Sequence, residues 1–207
     1  ANGAIGVDYV AKSAPDGHTL VFHSSLIVAT QHLQRTPYDV TRDLIGVVQT
    51  ATIDFALAAN PKIGVSTLDE LVELAKKNPG RLNYSSGGNG SGTHLYAELL
   101  KRAARINLTH IAYKGDAPAL QALLAGEVDL IFSTTGNLMP HVRAGKVRAL
   151  LVTGARPLEG LPSVPPMDSV YPGVGIDAWH GIFAPAATPR AIVDLIDDRP
   201  GRSSIRS

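Results

Sequence analysis

A chain of 207 residues with 44% hydrophobic side chains is long enough for one large or two small globular domains, each with a buried core. Its 19 basic and 18 acidic residues leave a net charge of +1, without the basic excess that nucleic-acid binding uses, so no nucleic-acid partner is expected. The absence of cysteine excludes disulfides, thiolate catalysis and cysteine-ligated metal, and no apolar run reaches membrane-span length, so no direct membrane insertion is expected.

From the amino end, small and apolar residues at Ile5, Val7, Val10 and Ala11 predict a short helix over 2–12, closed by a turn at Pro15, Asp16 and Gly17. The run 18–23 reads as a buried strand that delivers Ser24 and Ser25 to its carboxyl end. Open α/β sheets bind ligands at that end, which makes both serines candidate anion donors; the alternative is that one of them caps the following helix. His18 and His23 lack a carboxylate or third histidine spaced to complete a metal site, and no metal is expected. Residues 35–43 read as a polar connection, and the apolar, β-branched stretch 44–59 predicts a strand that continues from one domain into another. Ser66 is the expected N-cap of a helix over 68–78, with Asp69 and Glu70 in its first turn and Pro79 and Gly80 ending it.

The stretch from Tyr84 to Glu98, YSSGGNGSGTHLYAE, lies between a predicted strand over 81–84 and a helix that resumes at Thr93. Gly87, Gly88, Gly90 and Gly92 let the backbone turn tightly and approach a ligand. The first N–H groups of such a helix lack intrahelical partners, and with the positive end of the dipole they favour a carboxylate, phosphate or sulfate. A structural turn without a ligand is the alternative. The P-loop lysine is missing, since Gly92 is followed by Thr93 and His94, which argues against nucleoside triphosphates. A dinucleotide fingerprint begun at Gly88 needs glycine where the chain has Thr93. Ser91, His94 and Asp116 raise a serine-hydrolase alternative, but Asn89 stands where a nucleophile elbow needs glycine, so no enzyme is expected.

Further on, Leu95, Leu99 and Leu100 give the helix an apolar face to about Arg105. A strand over 107–112 leads to a second strand-to-helix turn at Tyr113, Lys114, Gly115 and Asp116, with Asp116 as N-cap and Pro118 early in the helix. Gly126 closes that helix, 128–132 gives another strand, and Ser133, Thr134, Thr135, Gly136 and Asn137 read as a third polar loop. A helix over 138–144 and a strand over 147–153 complete an alternating βα series typical of a parallel sheet. Residues 156–175 read as a connecting loop, 177–184 as a return strand and 190–196 as a helix. The polar tail 197–207 is expected to be disordered or foreign.

The ordered set APDGHTL, the serines at 24 and 25, PYDVTRDL, LNYSSGGNGSGTHL, AYKGDAPAL, GEVDLIF, HVRAGKVRAL and WHGIFAPAATP resembles the substrate-binding proteins of tripartite tricarboxylate transporters, the Bug family, to about Ile196. The resemblance implies an α/β, two-lobed periplasmic-binding-protein fold of the Venus-flytrap type II kind with mainly parallel sheets. It further implies a periplasmic location, a small mono- or dicarboxylate ligand, membrane permease subunits as partners, no cofactor and no catalysis. A first domain of 1–54 plus 181–207 and a second of 55–180 are expected, with Trp179 at the crossing as a packing residue or a reporter of closure. Relatives begin with a strand and a proline- and glycine-rich loop ahead of the residues that match Ala1, so the first lobe reads as truncated.

Carried over by position, the resemblance assigns Ser24 and Ser25 as the first domain's contribution, and Asn89, Gly90, Ser91, Gly92, Thr93 and His94 as the second's, with Tyr113 and Lys114 flanking the cleft. Backbone N–H groups, hydroxyls and ordered water would hold the carboxylate while domain closure excludes bulk solvent. His94 would sit beside the anion, with a capping or packing role as its alternative. Ser133 stands where many relatives carry an acidic residue, which argues against an ammonium-bearing ligand. A ligand-sensing module for a signalling partner is the alternative function with the same cleft residues.

Overall fold

The apolar stretch 44–59 is broken at Asp54, and its two halves, β2 (Leu44–Ile53) and β3 (Phe55–Ala59), belong to different sheets. The computed structural model describes residues 3–197. By Cα proximity these form two units, one holding the residues up to Ile53 with those from Ala178 on, the other Asp54–Asp177.

In the first unit, α1 (Ala4–Ala11), β1 (Val21–Ser24), α2 (Leu26–Leu33), α3 (Val40–Asp43) and β2 are joined by β8 (Ala178–Pro185) and α9 (Arg190–Ile196). β8 lies between β1 and β2 and runs antiparallel to both, with Val21 opposite Phe183 and Leu44 opposite Pro185. Side chains alternate across β8. Phe183 packs with Val7, Val10, Ile27, Tyr38, Val40 and Leu44. Ala184 packs with Val47, Val48 and Val193.

Two expectations for this unit need correction. The run 18–23 is not a buried strand: the His18 amide donates to Asp16 Oδ1 at 3.0 Å, and β1 begins only at Val21. β1 is also an edge strand whose Phe22 is exposed. The polar connection 35–43 contains the one-turn α3, held by side chains rather than apolar periodicity. Asp39 accepts from the amides of Thr41 and Arg42, and Asp43 Oδ2 accepts from the Asp39 amide at 2.8 Å.

The second unit carries β4 (Asn83–Ser86), β5 (Thr109–Ala112), β6 (Leu130–Thr134) and β7 (Arg148–Val152) with β3, in the order β5-β4-β6-β3-β7. β4 runs parallel to β5 and β6, whereas β3 is antiparallel to both β6 and β7. The four strands of the alternating series thus share one direction, as their helical crossovers require. Because β3 slots between β6 and β7 in the opposite sense, and the first unit's sheet is antiparallel throughout, the sheets are mixed rather than mainly parallel.

Helices α4 (Leu68–Lys77), α5 (Gly92–Ala104), α6 (Asp116–Ala125), α7 (Thr135–Arg143) and the short α8 (Met167–Val170) complete this unit, α8 lying where 156–175 reads as loop. α5 packs on one face of the sheet, with the Tyr96 ring 6.0 Å from Phe132 and 5.1 Å from Phe55. On the other, Leu120, Leu123 and Leu138 cluster with Ile131, Ala56 and Ala58. Each fully buried leucine among them contributes about 1.5–3 kcal/mol.

Caps differ from expectation by one residue. Thr67, not Ser66, caps α4: its Oγ1 accepts from the Glu70 amide at 3.2 Å while Glu70 Oε2 accepts from the Ser66 amide at 2.6 Å. Gly115 takes the N-cap position of α6, which makes Asp116 the first helical residue. The expected loop 133–137 is absent, since Ser133 and Thr134 finish β6 and α7 starts at Thr135, whose amide donates to the Asp54 carbonyl at 2.9 Å. The expectation for 197–207 lies outside the described residues beyond Asp197.

Candidate functional site

β4 ends in Tyr84, Ser85 and Ser86, all fully buried, and hands the chain to the glycine-rich turn before α5. Gly88 and Gly90 adopt φ of 129° and 73°, a region that glycine enters without strain. The turn is knit by side chains. Ser86 Oγ accepts from the Gly88 amide at 3.2 Å, Thr93 Oγ1 from Gly87 at 3.1 Å, and His94 Nδ1 from Gly90 at 3.1 Å. The Ser91 amide donates to the Gly88 carbonyl at 3.1 Å, and Ser91 Oγ caps α5 by accepting from the His94 amide at 3.3 Å.

The uncapped amides expected along the start of α5 are therefore reduced in number. Gly90, Ser91 and His94 use their N–H groups within the turn, Gly90 on the His94 ring, Ser91 on the Gly88 carbonyl and His94 on the Ser91 hydroxyl. Gly92 and Thr93, the first two residues of the 13-residue helix, keep their N–H groups outside the intrahelical ladder. No acidic residue stands in the first turn, and a Cβ at Gly92 would meet nothing closer than Tyr96 at 3.9 Å, so the backbone is approachable there. This end of α5 suits an anion of small cross-section.

A second turn supports the first. The Tyr113 amide donates to the Ser86 carbonyl at 3.0 Å, and Gly115 to the Gly87 carbonyl at 3.2 Å. Thr93 Oγ1 reaches Asp116 Oδ1 at 3.5 Å, and burial raises the pKa of Asp116 above the ordinary carboxylate range. Lys114 is exposed, whereas Tyr113 is half-buried against the core of the unit.

Behind the turn lies a stack of rings. His94 and His110 face each other with centroids 4.1 Å apart, and Tyr84 stacks on His110 at 4.8 Å. The Tyr84 hydroxyl donates to Glu98 Oε1 at 2.7 Å, and Lys101 Nζ sits 2.6 Å from the same oxygen. Burial, and then the neighbouring His94, lower the pKa of His110. Burial, followed by the bond to Glu98, raises that of Tyr84. Burial pushes Glu98 up, but its bonds to Lys101 and Tyr84 outweigh this and hold it below the usual carboxylate value.

The structure gathers Asn89, Gly90, Ser91, Gly92, Thr93, His94, Tyr113 and Lys114 around adjoining turns of the second unit. Ser133 is not in a loop: it is a fully buried strand residue opposite Ala56, and its Oγ has no hydrogen-bond partner among the described residues. Ser24 and Ser25 lie in the first unit. Ser24 ends β1, and Ser25 stands at the N-cap position of α2 without a side-chain cap, its amide donating to the Trp179 carbonyl at 2.8 Å. Phe22, His23, Ser24, Leu26 and His180 line an open hollow of about 290 Å³ there.

Sequence reasoning missed Ser86, His110, Glu98 and Asp116 as partners of the turn. The available signal was the two-residue strand period, since His110 pairs with Tyr84 of the parallel neighbour and Ser86 lies two residues beyond Tyr84 on the same face. Ser86 Oγ lies 2.6 Å from His110 Nε2. That pair is no exposed nucleophile, because Ser86 is fully buried and its hydroxyl also pairs with the Gly88 backbone.

Residues 1–204 match the family described as tripartite tricarboxylate transporter family receptor. The chain is 35% identical over 203 residues to Protein BugT of Bordetella pertussis, covering 95% of this chain and 62% of that one. It spans about three fifths of the length of the curated relatives it matches first. Among solved structures, an R. palustris protein with adipate superposes with a TM-score of 0.82 at 31% identity, covering 94% of this chain and 66% of the other. MatC from Rhodopseudomonas palustris with bound malate gives 0.79 at 31% identity, covering 93% and 67%.

Proposed function

The chain belongs to the tripartite tricarboxylate transporter receptor family, and from that premise we propose that it captures a small mono- or dicarboxylate in the periplasm for delivery to membrane permease subunits. It is a solute-binding receptor rather than an enzyme. The observation that carries the choice of ligand is the start of α5, where the Gly92 and Thr93 amides lie outside the helical ladder with no acidic side chain in the first turn. In this proposal those amides hold one carboxylate, with Ser91 and His94 shaping the turn and Tyr113 and Lys114 beside it. Ser24 and Ser25 are assigned as donors on the family resemblance. An uncharged Ser133 fits a guest without an ammonium group. Relatives solved with adipate and malate make C4 to C6 dicarboxylates the first guests to try.

A thermal-shift screen of C4 to C8 dicarboxylates, amino acids and aromatic acids tests the proposal. A guest present at a hundredfold excess over its Kd adds about 2.7 kcal/mol of stability, which such a screen resolves. At least one carboxylate is expected to stabilise the protein, and Gly92→Asp to abolish the effect by placing a negative charge at the anion position. Stabilisation that survives Gly92→Asp, or none with any carboxylate, overturns the proposal.

A further inference from the structure

We propose that His94 is a proton-operated latch on this site: the neutral imidazole occupies the Gly90 amide, and protonation turns that amide over to a bound anion, so that capture takes up a proton. The inference rests on the carboxylate-receptor reading above and adds how the site is regulated. The contact that carries it is the Gly90 N–H donating to His94 Nδ1 at 3.1 Å. Only a neutral ring with its proton on Nε2 accepts there, because an imidazolium has two donors and no acceptor. Protonation therefore opposes two N–H groups, releases the Gly90 amide from the ring and adds a positive charge beside Gly92 and Thr93. Both changes favour a negatively charged guest.

Titratable groups of α5, β4, β5 and α6 stand around the ring. Glu98, one turn along α5, places Oε1 3.9 Å from His94 Nε2, an oxygen it shares with Lys101 and the Tyr84 hydroxyl. His110 of β5 stacks on the ring at 4.1 Å, and burial, then His94 itself, lower its pKa. Tyr84 of β4 lies nearly parallel to His94 at 6.5 Å. Asp116 of α6 touches Thr93 and loses its own negative charge on acidification, which also favours an anion, so its contribution must be separated from that of His94. The sign is the same for both groups: anion affinity rises as pH falls.

The test uses the ligand-free protein and one probe anion, adipate. In ¹⁵N NMR between about pH 8 and 5, the range in which imidazoles titrate, the Gly90 amide should move with the same midpoint as the His94 ring. A Gly90 signal indifferent to that ring overturns the latch whether or not adipate binds. Calorimetry at about pH 7.5 and 5.5 should show adipate binding tighten about fivefold or more in the wild type and in Asp116→Asn. In the double variant His94→Asn with Asp116→Asn, where an amide Oδ1 replaces Nδ1 as an acceptor that cannot titrate and the Asp116 charge is gone, it should stay flat.

Equal tightening in the double variant, or none in the wild type, overturns the latch and leaves the receptor reading standing. Should the double variant fail to fold, proton uptake on wild-type binding, measured in buffers of different ionisation enthalpy, decides in its place. Binding of no carboxylate at either pH defeats the receptor reading and with it the coupling to capture, while the Gly90 resonance still decides the contact.

Discussion

At Gly87 an added Cβ would come 2.4 Å from Asp116 Oδ1, so a larger residue there forces the Asp116 carboxylate to move. Gly87→Ala should lower stability by about 1–3 kcal/mol in urea unfolding, and Asp116→Ser in the same chain should restore part of the loss. Full additivity of the two changes would place the clash elsewhere. Arg105 ends α5 at a φ of 53°, the one positive value outside glycine among the described residues. Arg105→Gly should therefore stabilise the protein by about 0.5–1 kcal/mol, and a lower urea midpoint would refute the argument. Turn glycines of this kind were legible in the sequence. The cap of α4 was not decided by spacing, because Ser66 with Asp69 and Thr67 with Glu70 both set a hydroxyl three residues before a carboxylate, and the structure uses Thr67.

Among the elements, α3 depends on two carboxylates. Asp43 is pushed down to about 2 by its bond to Arg42 and then by the Asp39 amide. Asp39 is lowered by the Thr41 hydroxyl and then the Thr41 amide. Depressed values mean stabilisation that is present above the ordinary carboxylate pKa of about 4 and lost as pH falls through the folded values. The urea midpoint of the wild type should drop further between about pH 4 and 2 than that of Asp43→Asn; equal drops would show that the Asp43 carboxylate does not couple to folding. This helix was hidden in the sequence because no apolar period marks four residues held by side chain to backbone bonds. Where helices bury a stripe, as α5 does with Tyr96, Ala97 and Leu100, the period was enough.

At the scale of the first unit, apolar side chains of α1 and β1 stand exposed among the described residues. Ile5 is 81% exposed and Tyr9 70% on α1, with Phe22 60% on β1. Grouped exposed apolar side chains of this kind attract apolar partners. The protein should bind an environment-sensitive apolar dye in its native state, and Ile5→Glu with Tyr9→Lys should weaken that binding without lowering the unfolding midpoint. Unchanged dye binding would show that these side chains are not the attracting surface.

What the sequence by itself determined were properties carried by short-range period and composition: alternating strands and helices, a glycine-rich turn before α5, and membership of a receptor family. The common direction of the alternating series followed from its helical crossovers, but the antiparallel place of β3 between β6 and β7 did not, since a period of two residues is the same for either sense. The state of the turn was likewise decided in three dimensions. Gly90 donates to an imidazole four residues on, and Thr93 meets an aspartate 23 residues away. A hydrogen bond forms where donor and acceptor converge in space, and convergence of that kind is a property of the packed sheet and helices.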